Sequence, residues 1–85
     1  MYYVYVIYSS NFDEYYIGMT DALNRRLEEH NNGKNRSTKA YRPWEMVYNE
    51  SLDSRELARK REKYLKSAAG RRWRKKFIRP RGATE

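Results

Sequence analysis

The chain has 85 residues, a formal net charge of +8, no cysteine, and 15% aromatic residues. A chain of this length forms one modest core, and without cysteine it has neither a disulfide framework nor a thiolate metal site. Its apolar start, MYYVYVIYSS, is too short to span a bilayer and lacks the basic flank of a secretory signal. We therefore expect one cytoplasmic domain over residues 1–85 that does not associate with membranes.

The positive charge is concentrated near the C-terminus. Residues 59–81 contain twelve Lys and Arg and one acid, a net of +11, whereas the other residues have seven basic and ten acidic groups, a net of −3. Such an asymmetry attracts polyanions, so we expect a nucleic acid, DNA or RNA, as the partner. A solvated basic tail and an anionic membrane surface are the competing interpretations. Aromatic residues spaced among these charges favour nucleic acid: Tyr64, Trp73 and Phe77.

The first two predicted elements form a β-hairpin. Residues 2–8, YYVYVIY, are β-branched and aromatic, which is typical of a strand, and alternation places Tyr3, Tyr5 and Ile7 on one face. The turn residues SSNFDE follow, and residues 15–19 are a second short strand. One register that the sequence permits, without fixing it, pairs Tyr5 with Tyr16 and closes the turn between Ser9 and Phe12.

The remaining elements alternate between helix and strand. Thr20 or Asp21 is the predicted cap of a helix that ends near Asn31, where Asn-Gly follows as a stop signal. Residues 32–42 are predicted to be a mobile polar loop and residues 43–50 a third strand. Asp53, followed three residues later by Glu56, resembles a capping box for a helix through about Lys66.

A break at Gly70 and a short basic helix over residues 71–78 complete the predicted order β-β-α-β-α-α. This order indicates a small α/β (α+β) fold in which helices flank a three-stranded antiparallel sheet. The core is expected over about residues 1–68, and the basic helix and tail over about residues 70–85.

Helical geometry separates the polar residues near the core from those in water. In the first helix, Leu23 and Leu27 define the buried face, His30 projects between them, and Arg26 lies beside it, whereas Arg25 points to solvent. A histidine in this position is more often packed and hydrogen-bonded than functional, and an arginine beside a core often only covers it with its stem, so neither residue alone indicates a function.

In the second helix, Glu62 flanks the apolar stripe and is the single acid of the basic segment. It either forms an i,i+4 ion pair with Lys66 or is placed to bind a hard divalent cation, and spacing does not separate the two.

These residues resemble the GIY-YIG nuclease superfamily. Tyr3-Val4-Tyr5 stands where the first motif belongs, and Tyr16-Ile17-Gly18 matches the second motif. Arg26 follows Tyr16 by ten residues, His30 follows Arg26 by four, and Glu62 lies in an EKYLK helix. The segments YIGMT, RPW and REKYLKS are similar to those of the small stand-alone members labelled UPF0213.

The resemblance implies a three-stranded antiparallel fold and phosphodiester hydrolysis with one divalent metal. Under it, Glu62 would bind Mg²⁺ or Mn²⁺, and Tyr5 or Tyr16 would deprotonate or position the attacking water. Arg26 would neutralise charge on the phosphorane, and His30 would act at the leaving group or orient a tyrosine. Tyrosine has an ordinary pKa near 10, so it needs a nearby cation to act as a base near neutral pH.

The match has two departures that bear on function. Met19 stands where some repair-type members have lysine, and residues 70–78 contain no counterpart of the late asparagine of homing enzymes. Stand-alone members also lack an attached DNA-binding domain, so targeting falls to a partner protein or to basic residues of this chain. The basic residues expected to contact nucleic acid are Lys39, Arg42, Arg61, Lys66, Arg71, Arg72, Arg74 and Lys75.

Three functions compete. A metal-dependent DNA endonuclease in repair or recombination is the leading hypothesis, because all five site residues are present. A nucleic-acid-binding module with the same fold and no cleavage is the second. A scaffold that recruits an acidic protein is the third, and the sequence does not indicate the oligomeric state.

Overall fold

The central feature of the fold is a three-stranded antiparallel sheet. The computed structural model describes residues 1–78, and its strands are β1 (Tyr2–Ser9), β2 (Glu14–Thr20) and β3 (Glu45–Leu52). The sheet order is β2-β1-β3, so β1 is paired on both edges. Its run of valine, isoleucine and tyrosine suits that central position, since both faces of β1 are covered.

The helices are α1 (Leu23–Asn31), α2 (Arg55–Lys66) and α3 (Ala68–Phe77), with one 3-10 turn at Lys39–Tyr41. The order β-β-α-β-α-α is the predicted one, and the α+β fold is confirmed. No helix within residues 1–78 is long and apolar enough to cross a membrane. The end of the predicted basic tail lies outside these residues.

The hairpin register differs from the one that the sequence permitted without fixing it. Tyr5 pairs with Gly18 and Ile7 pairs with Tyr16, so the direct Tyr5–Tyr16 pairing is wrong. Four residues form the turn between the paired Ser9 and Glu14, and Asp13 adopts a left-handed conformation there with φ 52°. The shift is two residues, which leaves both tyrosines on one face because side chains alternate with a period of two.

The start of α1 also differs. Thr20 belongs to β2, and its Oγ1 accepts a hydrogen bond from the Ala22 N–H at 3.1 Å, so neither Thr20 nor Asp21 caps the helix. The helix begins after Ala22 without a side-chain cap. Its end is as predicted, because Gly33 follows with φ +77°, a conformation that favours glycine.

Serine caps the two C-terminal helices. Ser54, and not Asp53, caps α2 by accepting from the Leu57 N–H at 3.2 Å. The break between α2 and α3 is at Ser67, and the predicted break at Gly70 is wrong. Gly70 lies in the first turn of α3, where a Cβ would collide with the backbone of Leu65. Glycine is needed there for close packing of the two helices.

The third strand begins at Glu45, two residues later than predicted, because Pro43 has no N–H to donate to a sheet. The preceding segment, predicted as a mobile loop, is attached to the core. Thr38 is buried, and the Trp44 Nε1–H donates to its carbonyl oxygen at 2.9 Å. This contact brings Thr38 to the site described below.

The two faces of the sheet have different contents. The α2–α3 face buries the apolar cluster Val4, Val6, Ile17, Ala58, Leu65 and Ile78. The α1 face buries Tyr5, Ile7 and Trp44, with Tyr16, Leu23, Leu27 and Met46 packed around them. Burial of each large apolar side chain contributes roughly 1.5–3 kcal/mol, so the first cluster is the main source of stability.

Candidate active site

A buried chain of hydrogen bonds runs through Tyr5 on the α1 face. The Tyr5 hydroxyl lies 2.8 Å from His30 Nε2, and His30 Nδ1 lies 2.8 Å from Thr38 Oγ1. The Arg26 Nε–H donates to the Tyr5 hydroxyl at 3.4 Å. Tyr5, His30 and Thr38 are each at most 1% exposed, so these bonds form away from water. The predicted pairing of histidine with a tyrosine is therefore present.

One assignment of donors and acceptors gives every polar group in this series of hydrogen bonds a partner. Tyr5 accepts from Arg26 and donates to His30 Nε2; His30 Nδ1–H donates to Thr38; and the Thr38 hydroxyl donates to the Asn35 carbonyl at 3.4 Å. With the other tautomer, the Tyr5 proton has no acceptor among the described residues. Buried polar groups are nearly always paired, so we assign the first arrangement.

The environment of Tyr5 keeps its hydroxyl protonated in the free protein. Burial raises the pKa of Tyr5 to about 12, and the negative charge of Glu62 adds to this. The hydrogen bond and positive charge of Arg26 act in the opposite direction, toward the phenolate. The site thus already contains one cation that stabilises a phenolate at Tyr5.

The same burial keeps His30 neutral. Burial, together with the positive charge of Arg26, lowers the pKa of His30 from 6.5 to about 4. At neutral pH the imidazole therefore has a free Nε2 lone pair, which faces the Tyr5 hydroxyl.

Arg26 and Arg25 have the different orientations that were predicted. The Arg26 side chain is 31% exposed and reaches Tyr5, whereas that of Arg25 is 65% exposed and pairs with Asp21 at 3.1 Å. Burial alone would lower the pKa of Arg26, but hydrogen bonds to Glu29 and Tyr5 outweigh burial and raise it. Arg26 stays charged, as a ligand for phosphate must.

Tyr16 completes the aromatic part of the site. Its ring centroid lies 5.0 Å from that of His30 and 6.4 Å from that of Tyr5. Tyr16 is half-buried, so it is the more accessible of the two tyrosines. Tyr15, the neighbour of Tyr16, packs with the apolar cluster on the opposite face of the sheet.

Glu62 lies on α2 and makes fewer contacts with the site than the other four predicted residues. Its side chain is 14% exposed, and its oxygens lie 3.0 Å from Lys66 Nζ and 3.7 Å from Arg59 Nε. Within residues 1–78, no hydrogen bond or ion pair joins Glu62 to Tyr5, Tyr16, Arg26 or His30. The structure therefore brings four predicted residues together, and the fifth, Glu62, is linked to them only by its negative charge, the smallest of the contributions to the raised pKa of Tyr5.

The donor set fits a divalent cation that takes few ligands from the protein. Residues 1–78 contain no group of three His, Asp or Glu side chains that could hold a metal. A single carboxylate at Glu62 is consistent with Mg²⁺ or Mn²⁺ bound mainly by water and substrate phosphate. Lys66 and Arg59 now neutralise that carboxylate, as a cation would.

Sequence reasoning missed two site residues. Thr38 comes from an irregular segment with no periodicity, so no signal in the sequence pointed to it. Glu29 does have a signal: it follows Arg26 by three residues, and its Oε1 accepts from Arg26 Nη1 at 2.9 Å.

The eight basic residues predicted to contact nucleic acid divide into two groups. Two are half-buried: Arg61 pairs with Glu50 at 3.0 Å and lies over Trp73, and Arg74 lies 4.6 Å from the Tyr15 ring centroid. The other six are exposed to solvent: Lys39, Arg42, Lys66, Arg71, Arg72 and Lys75. Among them, Lys66 also pairs with Glu62 at 3.0 Å.

The comparisons with known proteins identify the family of this chain. The GIY-YIG catalytic domain family matches residues 1–76, so the chain belongs to that family of nucleases. It is 38% identical over 66 residues to UPF0213 proteins from two strains of Staphylococcus epidermidis, covering 76% of this chain and 79% of each relative.

A solved structure has the same fold. The solution NMR structure of the UPF0213 protein from Bacillus halodurans has a TM-score of 0.51 and 27% identity to this chain. The match covers 86% of this chain and 81% of that one. The predicted resemblance is confirmed, including the UPF0213 group.

Proposed function

We propose that this protein is a divalent-metal-dependent endonuclease that hydrolyses DNA phosphodiester bonds. The observation that carries the proposal is the position of the Tyr5 hydroxyl, which lies between the Arg26 cation and the neutral His30 imidazole. A hydroxyl with a cation on one side and a proton acceptor on the other is suited to general base catalysis.

In the proposed reaction, Tyr5 takes a proton from the attacking water while its own proton passes to His30 Nε2. The water oxygen then forms a bond to phosphorus, the bond from phosphorus to the leaving oxygen breaks, and that oxygen leaves as an alkoxide that takes a proton from solvent, while His30 later loses its extra proton back through Tyr5. Arg26 remains charged and neutralises the phosphorane. Bound substrate phosphate adds negative charge beside the site, which raises the pKa of His30 above about 4 and favours this proton transfer.

The other two residues have supporting roles in the proposal. Glu62 would hold Mg²⁺ or Mn²⁺, which stabilises charge on the phosphate and lowers the pKa of nearby hydroxyl groups. Tyr16, which is half-buried over the same imidazole, would position the water.

The alternative is a nucleic-acid-binding module that does not cleave. The net charge of +11 over residues 59–81 favours binding but does not require chemistry. A cytoplasmic location, a role in repair or recombination, RNA as a substrate and a targeting partner remain predictions.

One experiment separates the two functions. Branched, flapped, nicked and plain DNA are incubated with the protein and Mg²⁺, Mn²⁺ or EDTA. Tyr5→Phe, Tyr16→Phe and Glu62→Gln are expected to slow metal-dependent cleavage by about 10²–10⁴-fold. Tyr64→Phe is the matched control, because Tyr64 is exposed and, within residues 1–78, its hydroxyl makes no hydrogen bond to Tyr5, Tyr16, Arg26, His30 or Glu62. Salt-sensitive binding without cleavage of any substrate would establish the module instead.

A further inference from the structure

A basic cleft of about 470 Å³ lies beside Arg26, between the start of α1 and the start of α2. Its walls contain four arginines and two acids, a net of +2. The arginines are Arg25, Arg26, Arg55 and Arg59, and the acids are Asp21 and Glu29. Arginines from two different helices therefore meet at one edge of the proposed active site.

Glu29 now occupies two of these arginines. Its Oε1 accepts from Arg26 Nη1 at 2.9 Å, and its Oε2 lies 3.9 Å from Arg25 Nε. One carboxylate thus spans two guanidinium groups, which is an arrangement that a backbone phosphate also adopts. The cleft contains an anion supplied by the protein itself.

The other two arginines of the cleft form weaker ion pairs or none. Arg59 pairs loosely with Glu62 at 3.7 Å. Arg55 is exposed and makes no ion pair or side-chain hydrogen bond within the described part of the chain. Arg55 is therefore available to an incoming anion.

We infer that this cleft binds a non-reacting phosphate of the DNA backbone, and that this phosphate replaces Glu29 at Arg25 and Arg26. The inference rests on the proposed function for its substrate, and it adds a second contact point on the strand. Because Arg26 also donates to Tyr5, release of Arg26 from Glu29 couples strand binding to the reacting group.

The exchange is inexpensive in free energy. Both ion pairs of Glu29 are partly exposed, with side-chain exposures of 65% for Arg25, 31% for Arg26 and 30% for Glu29, so water screens them and a phosphate can compete for the two arginines. A phosphate that replaces the carboxylate also releases condensed counterions from the DNA. Exchange of one anion for another keeps Arg25 and Arg26 paired, and Arg55 can add a contact to the same phosphate.

The first test compares Glu29→Gln with Glu28→Gln. The two variants change the net charge equally, but Glu28 is an exposed neighbour that does not line the cleft. Binding of a short DNA duplex is measured in EDTA, so that cleavage plays no part. Glu29→Gln is expected to bind about two- to fivefold more tightly than Glu28→Gln. Equal affinities would overturn the displacement of Glu29.

The second test compares Arg55→Gln with Arg36→Gln, an exposed arginine outside the cleft. The quantity measured is the slope of the logarithm of the binding constant against the logarithm of the salt concentration. Loss of one phosphate contact reduces that slope by about 0.9 for duplex DNA, and this is expected for Arg55→Gln alone. An unchanged slope for Arg55→Gln would overturn the phosphate site.

Failure of the proposed function gives a different result. Binding with the expected variant effects but without cleavage in metal would reject the nuclease and leave the phosphate site supported. Cleavage by the wild type with no effect of either cleft variant would reject the phosphate site alone. Absence of any DNA binding would reject both.

Discussion

The two faces of the sheet differ in what they bury: one buries apolar side chains, and the other buries hydrogen-bonded polar groups as well. The α2–α3 face packs apolar side chains from β1 against α2, and its cluster contains no polar group that needs a partner. The α1 face buries a hydroxyl, an imidazole and a second hydroxyl, at Tyr5, His30 and Thr38. Burial of such groups is costly unless each is hydrogen-bonded. The difference indicates that one face stabilises the fold, and that this stability supports a polar site on the other.

The largest expected effect is on the apolar face. Leu65 is 1% exposed, and Leu65→Ala should lower the free energy of unfolding by about 2–5 kcal/mol, because it removes buried methyl groups and leaves a cavity. Urea denaturation measures this loss. Leu27→Ala on the α1 face should cost less, because Leu27 is only half-buried. Equal costs would contradict the assignment of stability to one face.

The polar face should make stability depend on pH. The pKa of His30 is about 4 in the folded protein and 6.5 in the unfolded chain, so below pH 6.5 the unfolded chain binds the proton more readily. The free energy of unfolding should therefore fall by up to about 3 kcal/mol between pH 6.5 and pH 4, with no contribution from His30 above that range. Chemical denaturation at a series of pH values measures the change.

His30→Gln is the control for this prediction. It removes the one histidine of the chain and leaves the carboxyl groups, including Glu29, whose pKa is lowered by its hydrogen bond from Arg26. The difference between the two pH profiles isolates His30. Parallel profiles between pH 6.5 and pH 4 would show that His30 titrates as in an unfolded chain.

A smaller effect is expected where the strands cross the polar site. A Cβ at position 18 would lie 2.5 Å from the Tyr5 hydroxyl oxygen and 2.7 Å from Tyr5 Cζ. Gly18→Ala should therefore displace the ring from His30 and cost about 1–3 kcal/mol of unfolding free energy. Removal of the hydroxyl relieves the closest contact, so the cost should shrink in a Tyr5→Phe background. A double-mutant cycle measures this coupling, and strictly additive costs would contradict the contact.

Regular periodicity explains what the sequence could predict. The period of two in β1 and the period of 3.6 in α1 were enough to place Tyr5, Arg26 and His30 on facing surfaces. The exact register was not predictable, because a shift by two residues leaves every side chain on its face. Thr38 was not predictable either, because its position depends on a tertiary hydrogen bond from Trp44 and not on a local pattern.

The predicted helix caps were wrong for a related reason. Substitution of a cap residue is also the change for which we expect the smallest loss of stability. Asp53 and Ser54 are adjacent and both suit an N-cap, so the choice depends on which side chain reaches the Leu57 N–H. Ser54 Oγ accepts that bond at 3.2 Å. Ser54→Ala should therefore lower the free energy of unfolding by about 1 kcal/mol, and Asp53→Ala should change it by less than about 0.5 kcal/mol.

Urea denaturation of these two variants also bears on the comparison between the faces. Leu65 and the Ser54 cap belong to the same helix but lie about three turns apart. At that separation the losses of unfolding free energy from Leu65→Ala and Ser54→Ala should add. A larger loss of unfolding free energy for Asp53→Ala than for Ser54→Ala would show that Asp53, and not Ser54, caps α2.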